Sequence, residues 1–399
     1  MMSRKNIILA LAAVAIVGAI FYLQSMKSTP AATGPGVVAV PTDELPTVAS
    51  SDLPFSLPAS SSPLGLPPDA AAQPRVKPKP KTGYPQAKEI ALPGGFINTA
   101  PIKIGQFIGK KVILVDFWTY SCINCQRTLP YITAWWDKYK DKGLEIISIH
   151  SPEFEFEKKY DNVVAAAKKF GIEYPIVLDN DMGTWNAYGN QYWPRKYLID
   201  IDGSIVYDHI GEGGYNETEA KIQELLKERM TRLGIAGDAG SGIVAPKNVV
   251  SVDNSQLGSP ETYFGAARNR SLGNGTPGSV GQKTFVRPEQ GSPDRLYLVG
   301  DWDMRWEFAR AAAAGAGVLY NYQAKNIYLV ARADKPVRVK VLIDGKAPGV
   351  RAGADVKDGV MTIQEDRLYK VIEDSAYGQH TLELIIEEAG LDAYTFTFG

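Results

Sequence analysis

The chain contains two cysteines, Cys122 and Cys125, and both fall in one Cys-Ile-Asn-Cys motif. Residues at i and i+3 of a helix share one face, so the pair can close a small disulfide. With no other cysteine present, disulfides do not hold the architecture together, which leaves redox chemistry or half of a metal site. Zinc asks for four ligands, and the three histidines, His150, His209 and His380, have no finger-like spacing. The pair therefore reads as a redox-active disulfide, with no cofactor and no metal. Where a strand gives way to a helix, the first cysteine meets the helix's positive end, which favours the thiolate that carries out disulfide exchange. Cys122 is thus the expected attacker, forming a mixed disulfide, and Cys125 the resolver. No His or Lys stands between them to over-stabilise a thiolate, which argues for a reductase over a strong oxidant.

Other residues have the types and positions to assist. Asp116 lies on a strand that reads as buried, where a carboxylate is costly without a partner or a task. Burial raises its pKa, making it a candidate proton acceptor for Cys125. Pro130 falls inside the following helix, where proline usually costs about 3 kcal/mol. Trp193-Pro194 precedes a hairpin and suggests a cis-proline loop facing the cysteines, offering backbone groups to a substrate chain as an added strand. His150, at the carboxyl end of a strand, and Trp118 are accessory candidates; for His150 a structural role competes with a catalytic one. Trp185, Tyr188, Tyr192 and Trp193 read equally as a partner-selecting rim and as ordinary packing.

These residues need a scaffold, and residues 89–236 supply an alternating pattern. Strands are expected at 111–117, 144–149, 174–178, 196–201 and 204–210, the last two forming a hairpin about Asp202-Gly203. Helices are expected at 122–139, capped by Ser121, and at 156–170 and 217–230. Buried strands alternating with helices imply an α/β fold with parallel pairing and right-handed crossovers. A Gly-rich connector at 237–258 leads to short alternating strands over 259–399, the pattern of an all-β, jelly-roll-like sandwich. Tyr263, Trp302 and Trp306 there are candidate stacking residues for a glycan, weighed against aromatic core packing.

The first 88 residues differ. Arg4 and Lys5 precede an unbroken apolar run, Ile7 to Leu23, of a length near the lower limit for a membrane-crossing helix. No small-x-small cleavage site follows directly, so residues 1–24 read as an uncleaved anchor with its N-terminus in the cytoplasm. Residues 25–88, rich in Pro, Ala and Ser, read as a disordered linker. The rest then lies outside the cytoplasm, on the periplasmic face of the cell membrane.

Val115-Asp-Phe-Trp-Thr-Tyr-Ser-Cys-Ile-Asn-Cys125, with Pro130 and Trp193-Pro194, resembles the thioredoxin superfamily in its redoxin-like branch; Asp116 matches its buried acid and Pro194 its cis-proline. Ser121-Cys-Ile-Asn-Cys-Gln126 with Ile149-His-Ser-Pro-Glu-Phe154 resembles the thioredoxin-like part of fused transmembrane reductases related to cytochrome c biogenesis proteins. Those proteins join a multi-spanning electron carrier to a thioredoxin-like domain and a C-terminal β-sandwich related to carbohydrate-binding modules. The resemblance extends through Ser259-Pro-Glu-Thr-Tyr-Phe-Gly265. It implies client protein disulfides, apocytochrome c among them. This chain shows one N-terminal span where those have many, so a reductase of this design needs a separate transmembrane electron donor.

A formal net charge of −1 offers no basic surface for nucleic acid. Two rival functions stand beside the reductase. In a thiol peroxidase, Cys122 attacks a peroxide and Thr119 stands three residues before it, but Val115 replaces the proline expected further back. In a non-enzymatic envelope adaptor the cysteines are inert, which suits apolar burial better than a helix start.

Overall fold

The computed structural model describes residues 74–247, 249–253 and 255–399. The expected anchor at 1–24 and most of the expected linker lie outside the described residues. None of the described helices is long and apolar enough to cross a membrane. The linker's last residues, 74–88, are described and do not behave as a free tether. Val76 N–H donates to Gly109 O at 2.9 Å, Lys79 N–H to Asp202 at 2.8 Å and Ala87 N–H to Gly203 O at 2.9 Å. The segment is anchored because its backbone donors find acceptors on the domain.

Residues 89–233 build a six-stranded mixed sheet. In chain order the elements are β1 (Gly95–Ile97), β2 (Val112–Trp118), α1 (Ile123–Tyr139), β3 (Leu144–His150), α2 (Tyr160–Lys169), β4 (Ile176–Leu178), α3 (Gly183–Ala187), β5 (Arg195–Ile199), β6 (Ile205–Ile210) and α4 (Tyr215–Leu233). The spatial order is β1-β4-β3-β2-β5-β6. β2, β3 and β4 run parallel, and β5 and β6 add an antiparallel hairpin. All seven residues of β2 are buried, which is why it reads as an unbroken apolar run instead of an alternating one. Gly203 takes φ +88° in the hairpin turn, while Asp200 Oδ1 accepts the N–H groups of Asp202 and Ser204.

Two local expectations change. Cys122, not Ser121, caps α1, with its sulfur accepting the Cys125 N–H; Ser121 is drawn away to a buried carboxylate, Glu157. The helix expected over 156–170 is a 3-10 turn at Glu155–Lys158 followed by α2, broken at Lys159, whose backbone is extended. The break lets Phe154 and Phe156 bury against Tyr394 of the C-terminal domain, each with ring centroids 4.9 Å from it. The connector lies flat on α1 and α4: Lys138 and Gln223 both donate to Gly242 O at 2.7 Å.

The C-terminal domain is β-rich, with β7 (Thr262–Tyr263), β8 (Gly281–Phe285), β9 (Leu296–Met304), β10 (Ala309–Ala311), β11 (Gly317–Ala333), β12 (Val337–Ile343), β13 (Val356–Lys357), β14 (Val360–Ile363), β15 (Arg367–Ile386) and β16 (Leu391–Phe398). Its strands form one continuous antiparallel ladder. Two long strands carry it: β11 pairs with β15 along its length, with β9 at its start and with β16 at its end. Register breaks at Ala324/Asn326 and Ile327/Tyr328 accompany the turn of the sheet around a single core holding Leu298, Trp302, Tyr320, Val341 and Phe396.

Candidate active site between the domains

Four residues, Thr119 to Cys122, join the end of β2 to the start of α1. Their backbone is pinned from below. Glu157, fully buried, accepts from Ser121 Oγ at 2.6 Å, Ser121 N at 3.2 Å, Glu153 N at 2.7 Å and Phe154 N at 3.0 Å. Burial pushes its carboxyl up, and these donors pull the other way. His150 receives the Tyr120 N–H on Nε2 at 3.4 Å and stacks on the Tyr120 ring at 5.7 Å. Burial pushes His150 down to about 3, so it serves the turn as a neutral acceptor. Trp118 is buried edge-on to His150 and lies beneath the site. Thr119, which a peroxidase would set against its nucleophile, is buried 3.5 Å from His150 Nε2.

The two cysteines have unequal surroundings. Both thiols are free; Cys122 is half-buried and Cys125 buried. Cys122 Sγ accepts the Cys125 N–H at 3.4 Å. The Cys125 thiol is pushed well above its ordinary range, first by burial, then by its hydrogen bond to Cys122 and the charges of Cys122 and Asp116. Asp116 sits beneath on β2, 1% exposed, its Oδ1 without a hydrogen-bond partner among the described residues. Burial raises its carboxyl to about 7 while Lys196 draws it down. Lys196, directly across on β5, is also buried and donates to Gly211 O at 3.0 Å. Its own pKa is lowered by burial and raised in turn by Asp116 and Cys125.

The bond between Trp193 and Pro194 is cis. Trp193 Nε1 donates to Ser151 O at 2.9 Å, and its ring lies 4.2 Å from that of Trp185. The aromatic cluster divides by residue. Trp185 and Tyr188 pack on Phe117, whereas Tyr192 and Trp193 line a cleft with Cys122. Pro130 stays inside α1, which runs on to Tyr139.

That cleft, ≈ 620 Å³, has walls from both domains. Cys122, Asn124, Arg127, Trp193 and Glu212 come from the thioredoxin-like side, and Glu261, Tyr263, Thr397 and Phe398 from the other. The domains are joined around it. Tyr120 Oη donates to Asp366 O at 3.0 Å, Lys159 pairs with Asp366 at 2.7 Å and Arg268 with Glu153 at 2.7 Å. Arg127, buried in α1, holds Glu212 through Nε at 2.8 Å and Nη2 at 3.1 Å, tying the helix to the loop after β6.

The aromatics proposed for a glycan do not form one platform. Trp302 is fully buried in the core, Tyr263 lies under the Arg268 guanidinium at 3.7 Å, and Trp306 is 67% exposed. One acidic group among the described residues, Asp200, Asp202 and Glu228, has carboxylates close together. Lys81 reaches Asp200 at 3.1 Å and Glu228 at 2.8 Å, and Arg232 pairs with Asp202, so cations of the chain itself serve it.

Sequence reasoning missed Lys196, Glu157, the Arg127–Glu212 pair and the C-terminal wall. Lys196 gave the signal that marked Asp116, a charge in an apolar strand. Nothing in Phe154-Glu-Phe-Glu157 separates Glu157 from Glu155.

Residues 86–226 match the family described as redoxin, and residues 259–399 match the thioredoxin-like C-terminal domain. Protein DipZ of Mycobacterium bovis is 34% identical over 310 residues, covering 76% of this chain and 41% of DipZ. The chain therefore spans under half the length of that relative. Thiol-disulfide oxidoreductase YkuV of Bacillus subtilis is 30% identical over 123 residues, 31% of this chain and 82% of YkuV. Thiol-disulfide oxidoreductase ResA of Bacillus thuringiensis is 32% identical over 127 residues, 32% of this chain and 68% of ResA.

Proposed function

Since the chain belongs to the redoxin-like, thioredoxin-related family of thiol–disulfide oxidoreductases, we propose that it reduces disulfides of client proteins through Cys122 and Cys125. The Cys122 thiolate attacks one sulfur of the client disulfide. A Cys122–client bond forms, the client's S–S bond breaks, and its other sulfur leaves as a thiolate. Cys125 then gives its proton to Asp116 and attacks Cys122 Sγ, forming the Cys122–Cys125 disulfide and releasing the second client thiolate. Two electrons pass to the client. No cofactor takes part, and an external dithiol donor must restore the pair.

The observation that carries this reading is the asymmetry of the pair. Cys122 opens into a cleft, while Cys125 is sealed above a carboxyl held near neutrality and a buried lysine. A poised proton acceptor under the resolving thiol suits a two-step exchange at neutral pH. Trp193 borders the same cleft, and with Pro194 next to it in the chain it offers the place where a client backbone can add as a strand. His150 and Trp118 support the turn without touching the client. The apolar run at 7–23 supports an anchored, extracytoplasmic location with a separate membrane electron donor. A glycan role for the C-terminal domain has only Trp306 in its favour.

Replacing Cys125 with Ser tests the scheme. The Cys125→Ser chain should accumulate a covalent complex with a disulfide-bearing client that dithiothreitol dissolves, and Cys122→Ser should form none. Complexes held through Cys125 in the Cys122→Ser chain would reverse the assignment.

A further inference from the structure

One side of the cleft carries a charge arrangement that the exchange chemistry does not use. Tyr263 Oη lies 2.8 Å from Glu153 Oε1 and 2.7 Å from Glu261 Oε2. A phenol has one proton to donate, so it serves one carboxylate and leaves the other facing an oxygen. Glu153 already has Arg268 at 2.7 Å. Glu212, the third carboxylate lining the cleft, has Arg127. Glu261 has no cation within 4 Å among the described residues, its remaining partner being the Thr397 hydroxyl at 3.4 Å. The cleft thus holds three carboxylates against two guanidiniums, and the unmatched one comes from the C-terminal domain. Glu261 itself is exposed at the mouth of the cleft. The neighbouring protein and the charge of Glu153 push its carboxyl up, against the pull of Tyr263 and Arg268.

We propose that Glu261 is a specificity residue: it receives a lysine or arginine side chain of the client segment while Cys122 attacks the disulfide nearby. The inference rests on the reading of Cys122 as nucleophile and adds the class of client. The cavity volume is that of an ordinary small-ligand site, so the client enters as an extended segment and not as a folded face. An ammonium or guanidinium beside Glu261 supplies a positive charge and the donor that the single Tyr263 proton cannot give to both acids. Complementary charge of this kind sets partner choice more than raw affinity.

The test uses the reduced full chain, whose own dithiol supplies the two electrons, in single-turnover reaction with three disulfide-closed peptides. The peptides are identical except for Lys, Gln or Glu beside the disulfide. The expected order of second-order rate constants is Lys, then Gln, then Glu, with the Lys/Glu ratio about tenfold at low salt and smaller at high salt. Glu261→Gln should shrink that ratio about threefold or more, and Glu261→Lys should invert the order. Equal rates for the three peptides, or a ratio unchanged in both variants, overturn the inference and leave the exchange chemistry standing. A chain that reduces none of them overturns the reading of Cys122 and the inference with it.

Discussion

Asp116 on β2 and Lys196 on β5 are register partners across an antiparallel pair of strands, and both are buried within electrostatic reach of Cys125. Two opposite charges removed from water in this way are costly, and a pair of this kind is retained more readily for a task than for stability.

The pH dependence of stability follows. Asp116 has its folded pKa raised to about 7 from 3.8, so between these values the folded chain binds more protons than the unfolded one. Its contribution to stability therefore falls as pH rises from about 4 to about 7 and stays low above that. Asp116→Asn removes the penalty, and the loss of a partner for Lys196 returns part of it. The expected gain is about 1–3 kcal/mol at pH 8 and little at pH 4, read by guanidinium unfolding at the two pH values.

In the proposed exchange, resolution of the mixed disulfide needs Asp116 ionised to take the Cys125 proton, so its rate should rise with pH through about 7. Lys196→Met removes the cation that draws Asp116 down and should move that rise to higher pH. Stopped-flow measurement of Cys122–Cys125 closure across pH 5–9 reads both curves; coincident midpoints would sink the coupling.

The join between domains should be measurable. Arg268→Ala leaves Glu153, whose side chain is 9% exposed, without its cation. With the arginine itself partly in solvent, the expected cost is about 1–2 kcal/mol. A double-mutant cycle with Glu153→Gln should recover most of it; additive effects would show that the pair does not hold the join.

The chemical core of the site was legible because its signals are local. Cys122, Cys125 and Asp116 stand within ten residues of one another, and their strand-then-helix setting is written in β2's unbroken apolar run and the periodicity of α1. Pro194 was legible because proline has few reasons to precede a strand. The long-range parts were not. Lys196 meets Asp116 through strand pairing eighty residues on, and Glu261 enters the cleft only because the C-terminal domain docks through Glu153, Tyr120 and Lys159. The break at Lys159 was hidden because helical periodicity continues across it, and what ends the turn is the burial of Phe154 and Phe156 against another domain. In the β-rich domain, alternation marked the strands but not that β11 and β15 are long enough to join the ladder into one sheet.

The aromatics there now separate by consequence. Trp302→Ala opens a cavity in the core and should cost about 3–5 kcal/mol, whereas Trp306→Ala should change stability by no more than about 0.5 kcal/mol. Thermal unfolding of both variants checks the pair; a large loss at Trp306 would mean that its ring packs on something.

The central claim is that Cys122 and Cys125 form one two-electron couple poised as a reductant. Its most direct test is the reduction potential of the chain equilibrated in dithiothreitol and glutathione buffers, with thiols counted by alkylation. Both thiols should disappear together, with a midpoint below about −230 mV, towards the value of about −270 mV typical of thioredoxin. A midpoint near about −120 mV would make the protein a disulfide donor, and cysteines oxidising independently would contradict the couple itself.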